Sequence, residues 1–221
     1  MRRVVRPELL DSNQAPAHEV KTSLADLQRI NRWFGGISTT KHLIRHAVSR
    51  ASNSHVTILD VGSATGDGPA KVRDSFPQKQ LRFTLLDRDP SHFDGTRSKM
   101  PCVGGDALSL PFAADSFDFV TCSLFAHHLE PDEIRAFANE ALRVARSALL
   151  INDLRRSAIH LSLVYLGQPL FRSPITRHDT VASVRRAYTS SEMRAILQST
   201  AARQIDIHHT YLFRMGAIAW K

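Results

Sequence analysis

Cysteine is scarce, and no apolar run is long. Of 221 residues only Cys102 and Cys122 are cysteines, which excludes a disulfide framework and a cysteine metal cluster. No apolar stretch approaches the roughly 18 to 20 residues needed to cross a bilayer. Met1 to Arg6 leads into Pro7 and Glu8 instead of an apolar signal core, so a cytoplasmic protein is expected. No internal repeat or low-complexity tract is present. No helical metal-binding pair of the His-Glu-x-x-His type occurs, and Asn152 with Asp153 is insufficient alone, so no metal is expected.

What is present describes a compact chain with a basic surface. Hydrophobic residues make up 43% and charged residues 23%, an ordinary globular balance. The length suits one α/β domain with a modest appendage. Lys and Arg number 29 against 21 Asp and Glu, a formal net charge of +8. That excess would suit an acidic partner such as nucleic acid, an anionic membrane surface or an acyl-carrier substrate. The basic residues are scattered, however, which favours a solvated surface. Nucleic acid is therefore not the expected partner, membrane-surface contact stays open, and the chain is expected as a monomer or homodimer.

Periodicity divides the chain into an N-terminal helical cap over 1–52 and an α/β domain over 53–221. Leu24, Leu27, Ile30, Trp33 and Phe34, then Leu43, Ile44, Ala47 and Val48, recur at helical spacing on either side of Gly35-Gly36. Strands follow at Val56–Asp60, Leu81–Asp87, Cys102–Val103, Phe117–Cys122 and Ala148–Asn152, with a helix opening near Pro69 and another over Pro131–Val144. Residues 154–188 break this rhythm with an apolar segment, Ile159 to Leu166, and a basic His/Arg loop. This insertion is where substrate specificity is expected. Thr189 to Glu192 carries a capping signature, and Gln204–His208 and Tyr211–Trp220 read as two closing strands.

The chemistry concentrates at strand ends. Ile58-Leu-Asp-Val-Gly-Ser-Ala-Thr-Gly-Asp-Gly68 places a glycine turn directly after the first strand, where side chains at Gly62 and Gly66 would obstruct close approach of a ligand. Asp60, Asp87 and Asp106 all fall at the carboxyl ends of strands, where open parallel sheets bind ligands. Asp87 is placed to accept from ribose hydroxyls, and Asp106 from an adenine amino group flanked by apolar contacts. Asp60 would repel a pyrophosphate at the helix N-terminus yet tolerate the ammonium group of a methionine moiety, so the cofactor should be positively charged there.

These motifs resemble the class I, Rossmann-like methyltransferases, whose acid-x-Gly-x-Gly-x-Gly pattern is matched at Asp60, Gly62 and Gly66, with Ala64 in place of the middle glycine. The resemblance covers about residues 55 to 153 by motif. It implies a seven-stranded, mostly parallel sheet with helices on both faces, and S-adenosyl-L-methionine as cofactor. It also implies that Asp87 binds the ribose, Asp106 the adenine amino group and the 62–66 turn the methionine end, with Ser63, Arg88, Ala107 and Ser123 beside them.

Methyl transfer from a sulfonium requires an oriented acceptor and, for a hydroxyl, a base. His127 and His128 follow the fourth strand at the end that faces the methyl group in the resembled fold, and His127 is the preferred base. Cys122 lies inside an apolar strand and reads as core instead of nucleophile. Asn152 to Ser157 and Arg177 to Tyr188 resemble, more loosely, bacterial methyltransferases associated with type III polyketide synthases, thought to methylate phenolic or pyrone-like lipids. Arg155, Arg156, Arg177 and His178 would then stabilise a phenolate, while Trp33, Phe34, Tyr165 and Leu166 would hold a ring or alkyl tail. The expected function is metal-independent O-methylation of a small hydroxylated aromatic or polyketide. Three readings compete with it: C-methylation of a quinone precursor, RNA methylation, and a cofactor-binding module without catalysis.

Overall fold

The computed structural model describes residues 1–10, 15–50, 54–89, 100–210 and 212–221. The expected domain boundary at 52/53 and Tyr211, the expected start of the last strand, lie outside the described residues.

Seven strands form one sheet: β1 (His55–Val61), β2 (Gln80–Asp87), β3 (Cys102–Gly104), β4 (Phe117–Ser123), β5 (Ala145–Leu154), β6 (Gln204–His209) and β7 (Arg214–Trp220). Their order is β3-β2-β1-β4-β5-β7-β6. β1 to β5 pair in parallel, whereas β7 runs antiparallel to both β5 and β6. The order reverses between β1 and β4, the switch point at whose carboxyl ends open α/β sheets bind ligands.

Both faces of the central strands are buried, and the alternation of side chains shows it. Leu59, Val120, Leu149 and Ile151 face a core shared with α4 (Pro131–Val144) and α7 (Ser190–Gln198). Ile58, Phe119, Ala148 and Leu150 face the opposite core, with Leu43, Ile44, Ala47 and Val48 of α2 (Gly36–Ser49) and Val72 of α3 (Asp67–Arg73). Period-two apolar runs covered on both sides mark an inner parallel sheet. α4 opens with Pro131 and a capping box formed by Glu130 and Glu133, and α7 has the box expected at Thr189 and Glu192.

The N-terminal helices differ from the expected cap. α1 (Ala17–Trp33) packs against the insertion, but α2 lies on β5 and β7 as a layer of the sandwich. Its apolar stripe is fully buried, which a loosely attached cap would not need. The insertion itself is helical: α5 (Ala158–Gly167) is followed by α6 (Pro174–Arg186), where a basic loop was expected. Ser173 caps α6, and buried Asp26 of α1 accepts the backbone N–H groups of Arg172 and Ser173 at its start. Ser23 and Thr176 join the two helices by a hydroxyl contact of 3.0 Å. No helix among the described residues is long and apolar enough to cross a membrane.

Candidate active site at the carboxyl ends of the strands

The turn after β1 is held in a conformation few side chains tolerate. Gly62, Ala64 and Gly66 take φ of 68°, 44° and 69°. A Cβ on Gly62 would stand 2.8 Å from Cδ2 of Phe125, so glycine is required there by both backbone and space. Ala64 occupies the middle position at a left-handed φ, a conformation costing roughly 1–2 kcal/mol for a residue with a Cβ. Crossing bonds close the turn: the N–H groups of Gly62 and Ser63 donate to Leu86 O, and Ala64 N–H donates to the Asp87 carboxylate at 2.9 Å.

Asp60 stands beneath this turn and is buried. Burial raises its carboxyl to a pKa of about 6, against hydrogen bonds from Thr121 and Ser63 that favour the ionised form. The Thr121 hydroxyl donates to Oδ1 at 2.7 Å. Among the described residues no cation faces Asp60. A buried carboxylate without a counter-charge suits a ligand that brings one. Asp87, also buried, accepts from Ala64 and Asp89. Asp106 is exposed and fixes its own loop by accepting from Leu108 N–H, with Ala107 buried beside it. Ser123 contacts Thr40 at 3.0 Å, and Arg88 is exposed. The glycine cradle, the buried Asp60 without a counter-charge and the strand-end carboxylates fit a cationic adenosyl cofactor.

The loop after β4 carries the second half. Leu124 takes a left-handed φ of 56°, strain that a packed loop must hold in place. A short 3-10 turn, 126–128, then presents His127 inward at 3% exposure. Asp153, at the end of β5, accepts from His127 N–H at 2.8 Å and meets its Nδ1 at 2.7 Å. Glu8 reaches the other ring nitrogen, with Oε1 3.5 Å from Nε2. Burial alone would lower the pKa of His127, but the charges and hydrogen bonds of Asp153 and Glu8 overcome it and raise it to about 9. His127 is therefore a cation at neutral pH in this arrangement, and not the freely available base expected from its position. His128 lies nearby, its Nε2 3.8 Å from Oε2 of Glu8. Burial pushes the Cys122 thiol well up, with Asp153 and Asp60 adding to the shift, so it stays protonated as a core residue.

Glu8 is delivered by an N-terminal strap. Leu9 and Leu10 N–H donate to the Asp179 carboxylate of α6, and the Ser183 hydroxyl donates to Glu8 at 2.7 Å. Arg3 donates to Glu130 and to two main-chain carbonyls, and stacks over Tyr188 at 4.5 Å.

The expected acceptor-side residues are not drawn into one pocket. Arg156 is corrected from ligand contact to clamp: it is 6% exposed, and its donors go to Met1 O, Ala187 O and Glu192. Arg155 reaches His209 at 3.1 Å, Arg177 donates to Phe171 O, and His178 meets Asp179 at 2.8 Å. Trp33 and Tyr165 are exposed, and Leu163 and Leu166 of α5 are exposed with them. Asp153 and Glu8 were not read from the sequence as site residues. Asp153 carries the same strand-end signal as Asp60 and Asp87, whereas nothing local marks Glu8.

Comparison with known proteins agrees with this geometry. Residues 58–148 match the family described as "Methyltransferase domain". A malonyl-[acyl-carrier protein] O-methyltransferase of Laribacter hongkongensis is 33% identical over 123 residues, 49% of this chain and 38% of that protein. The chain thus matches well under half the length of that relative. Among solved structures, the plantazolicin methyltransferase BpumL in complex with SAH superposes with a TM-score of 0.72 at 13% identity, covering 96% of this chain and 94% of that one. A SAM-dependent methyltransferase from Aquifex aeolicus gives 0.64 at 15% identity, covering 91% and 97%. The fold is that of the class I, Rossmann-like methyltransferases, and the family match lies within it, over residues 58–148. The cofactor of that class is S-adenosyl-L-methionine.

Proposed function

We propose that this chain transfers the methyl group of S-adenosylmethionine to an oxygen of a small acceptor, a phenolic, pyrone or polyketide-like hydroxyl. The observation that carries the reading is the Asp153–His127 pair beside the glycine turn. The cofactor, when bound, supplies a methyl group on a sulfonium, which already carries its leaving group. Asp60 faces the cofactor's positive end, Asp87 and Asp106 its adenosine, and the bare Gly62 to Gly66 turn admits it closely. Asp153 fixes Nδ1 of His127, which leaves Nε2 aimed at the place Glu8 holds. An acceptor hydroxyl entering there displaces Glu8, withdraws one of the two charges that hold the imidazole protonated, and brings its pKa down toward the working range of a base. The exposed apolar side chains of α5, with Trp33, offer a surface for a ring or alkyl tail.

A second reading has its own observation. A carboxylate acceptor needs no base, and a cationic His127 with a pKa of about 9 would clamp it directly. The name of the Laribacter hongkongensis relative points the same way.

The test is a panel of phenols, pyrones and carboxylic acids with labelled cofactor, read as kcat/KM against pH. For a hydroxyl acceptor kcat/KM rises with pH as His127 loses its proton, and His127→Gln loses at least the roughly hundredfold that general-base catalysis contributes. For a carboxylate acceptor it falls as pH passes about 9, and His127→Gln acts on KM. Cofactor binding without turnover on any acceptor would instead identify a binding module.

A further inference from the structure

A second cluster of ligating side chains stands at the β6 edge of the sheet, apart from the Asp153–His127–Glu8 group. α2 presents His42 and His46 one turn apart, and β6 presents Asp206 and His208 two residues apart, so each pair shares one face of its element. The imidazoles meet: the His208 ring centre lies 5.3 Å from that of His42 and 5.0 Å from that of His46. Nε2 of His46 and Nε2 of His208 are both buried and neither has a hydrogen-bond partner, His46 Nε2 standing 3.9 Å from Asp206 Oδ2, beyond hydrogen-bond reach. Leaving a buried polar atom unpaired costs about 1–3 kcal/mol, so two side by side call for an explanation.

Asp206 completes the group, since one ligand atom from each of His46, Asp206 and His208 lies within 4.8 Å of the others. Its carboxylate is oriented from outside, Trp220 Nε1 donating to Oδ2 at 2.7 Å and the Gln204 amide to Oδ1 at 2.9 Å. Partners of this kind fix a metal-binding carboxylate. A groove of about 600 Å³ lined by His42, His208, His209 and Thr210 gives access.

We propose that His46, Asp206 and His208 form a binding site for a borderline divalent transition metal, zinc or nickel, with His42 placed to join as a fourth ligand. Two imidazoles and a carboxylate are the donor set such ions prefer. Tetrahedral zinc with bonds of about 2 Å sets its ligand atoms roughly 3.3 Å apart, a closure within reach of side-chain rotation on α2 and β6. Arg50, 3.7 Å from Asp206 and 4.3 Å over the Trp220 ring, balances the carboxylate without metal and can keep its stacking when displaced.

The chain has two tryptophans, so Trp33→Phe leaves Trp220 as the sole reporter. Nickel or zinc chloride is titrated into that variant, followed by Trp220 fluorescence, calorimetry and melting temperature. One equivalent should bind, nickel should quench Trp220, and zinc should raise the melting temperature. His46→Gln and His208→Gln should each weaken binding by at least about tenfold, the loss expected even for outer partners of a metal. Glu8→Gln and His128→Gln, at the other histidine cluster, should leave the quench unchanged. Absent binding overturns the proposal, as does binding that survives in both glutamine variants or disappears in Glu8→Gln. Melting of each variant without metal identifies any that fails to fold, and Asp206→Asn then takes its place with the same expected loss.

Discussion

Asp60 shows how one residue can read both as a strand-end turn former and as a charge receptor. Its pKa of about 6 arises because burial opposes ionisation more strongly than Thr121 and Ser63 support it. A cationic cofactor reverses that balance by supplying the missing counter-charge. Cofactor affinity should therefore increase as pH rises through about 6, and Asp60→Asn should flatten this dependence. A hydrogen bond to a charged group is worth about 1.5–3 kcal/mol, so the variant should bind roughly tenfold to hundredfold more weakly at pH 7.5. Calorimetry across pH 5 to 8 checks both statements, and an unchanged slope in the variant would move the receptor role away from Asp60. Ala64 is the companion case: the sequence marks it as a departure from glycine, and its φ of 44° identifies the departure as backbone strain.

At the scale of elements, α2 is held against the sheet by a missing side chain. A Cβ on Gly216 of β7 would stand 2.6 Å from Cδ2 of Leu43, which is 1% exposed and has nowhere to turn. Gly216→Ala should cost about 1–3 kcal/mol through overpacking, read as a lower melting temperature. The strands, α4 and α7 were legible in the sequence because local signals carry them: apolar alternation, Pro131 at a helix start, and Thr189 with Glu192. α6 was not legible as a helix. Its buried positions include Thr176 and Asp179, whose partners are Ser23 and the main chain at Leu9 and Leu10, far away in sequence. His127 was legible as a position and not as a state, because its charge depends on Asp153 from another strand and on Glu8 from the N-terminal strap. The expectation of no metal rested on the absence of a His-Glu-x-x-His pair and on Asn152 with Asp153 being insufficient; His42 and His46 keep the one-turn spacing of such a pair without its Glu.

For the molecule as a whole, these buried groups set the pH at which the cofactor-free fold is most stable. His127 has a folded pKa of about 9 against an ordinary 6.5, so its contribution is complete below 6.5 and is lost as pH rises through 9. Asp60, raised from 3.8 to about 6, also disfavours the fold as it ionises on the way up. Glu8 and Asp153 act in the opposite sense: burial would raise both, but His127 holds them below their ordinary 4.5 and 3.8, and their contribution is lost as pH falls below that range. The stability maximum should therefore lie on the mildly acid side, and melting temperature should fall between pH 6 and 9.5. The net charge of +8 opposes this trend, since self-repulsion eases as the protein approaches neutrality. At 0.15 M salt, surface charges are screened beyond about 8 Å, so the buried pair should dominate. Asp153→Asn separates the two effects. Breaking one side of a buried ion pair costs about 3–5 kcal/mol, and without Asp153 the pKa of His127 drops, so the variant should melt lower and lose most of its decline above pH 6.5. A variant that keeps the wild-type slope would assign the pH dependence to the surface instead of to the Asp153–His127–Glu8 chain.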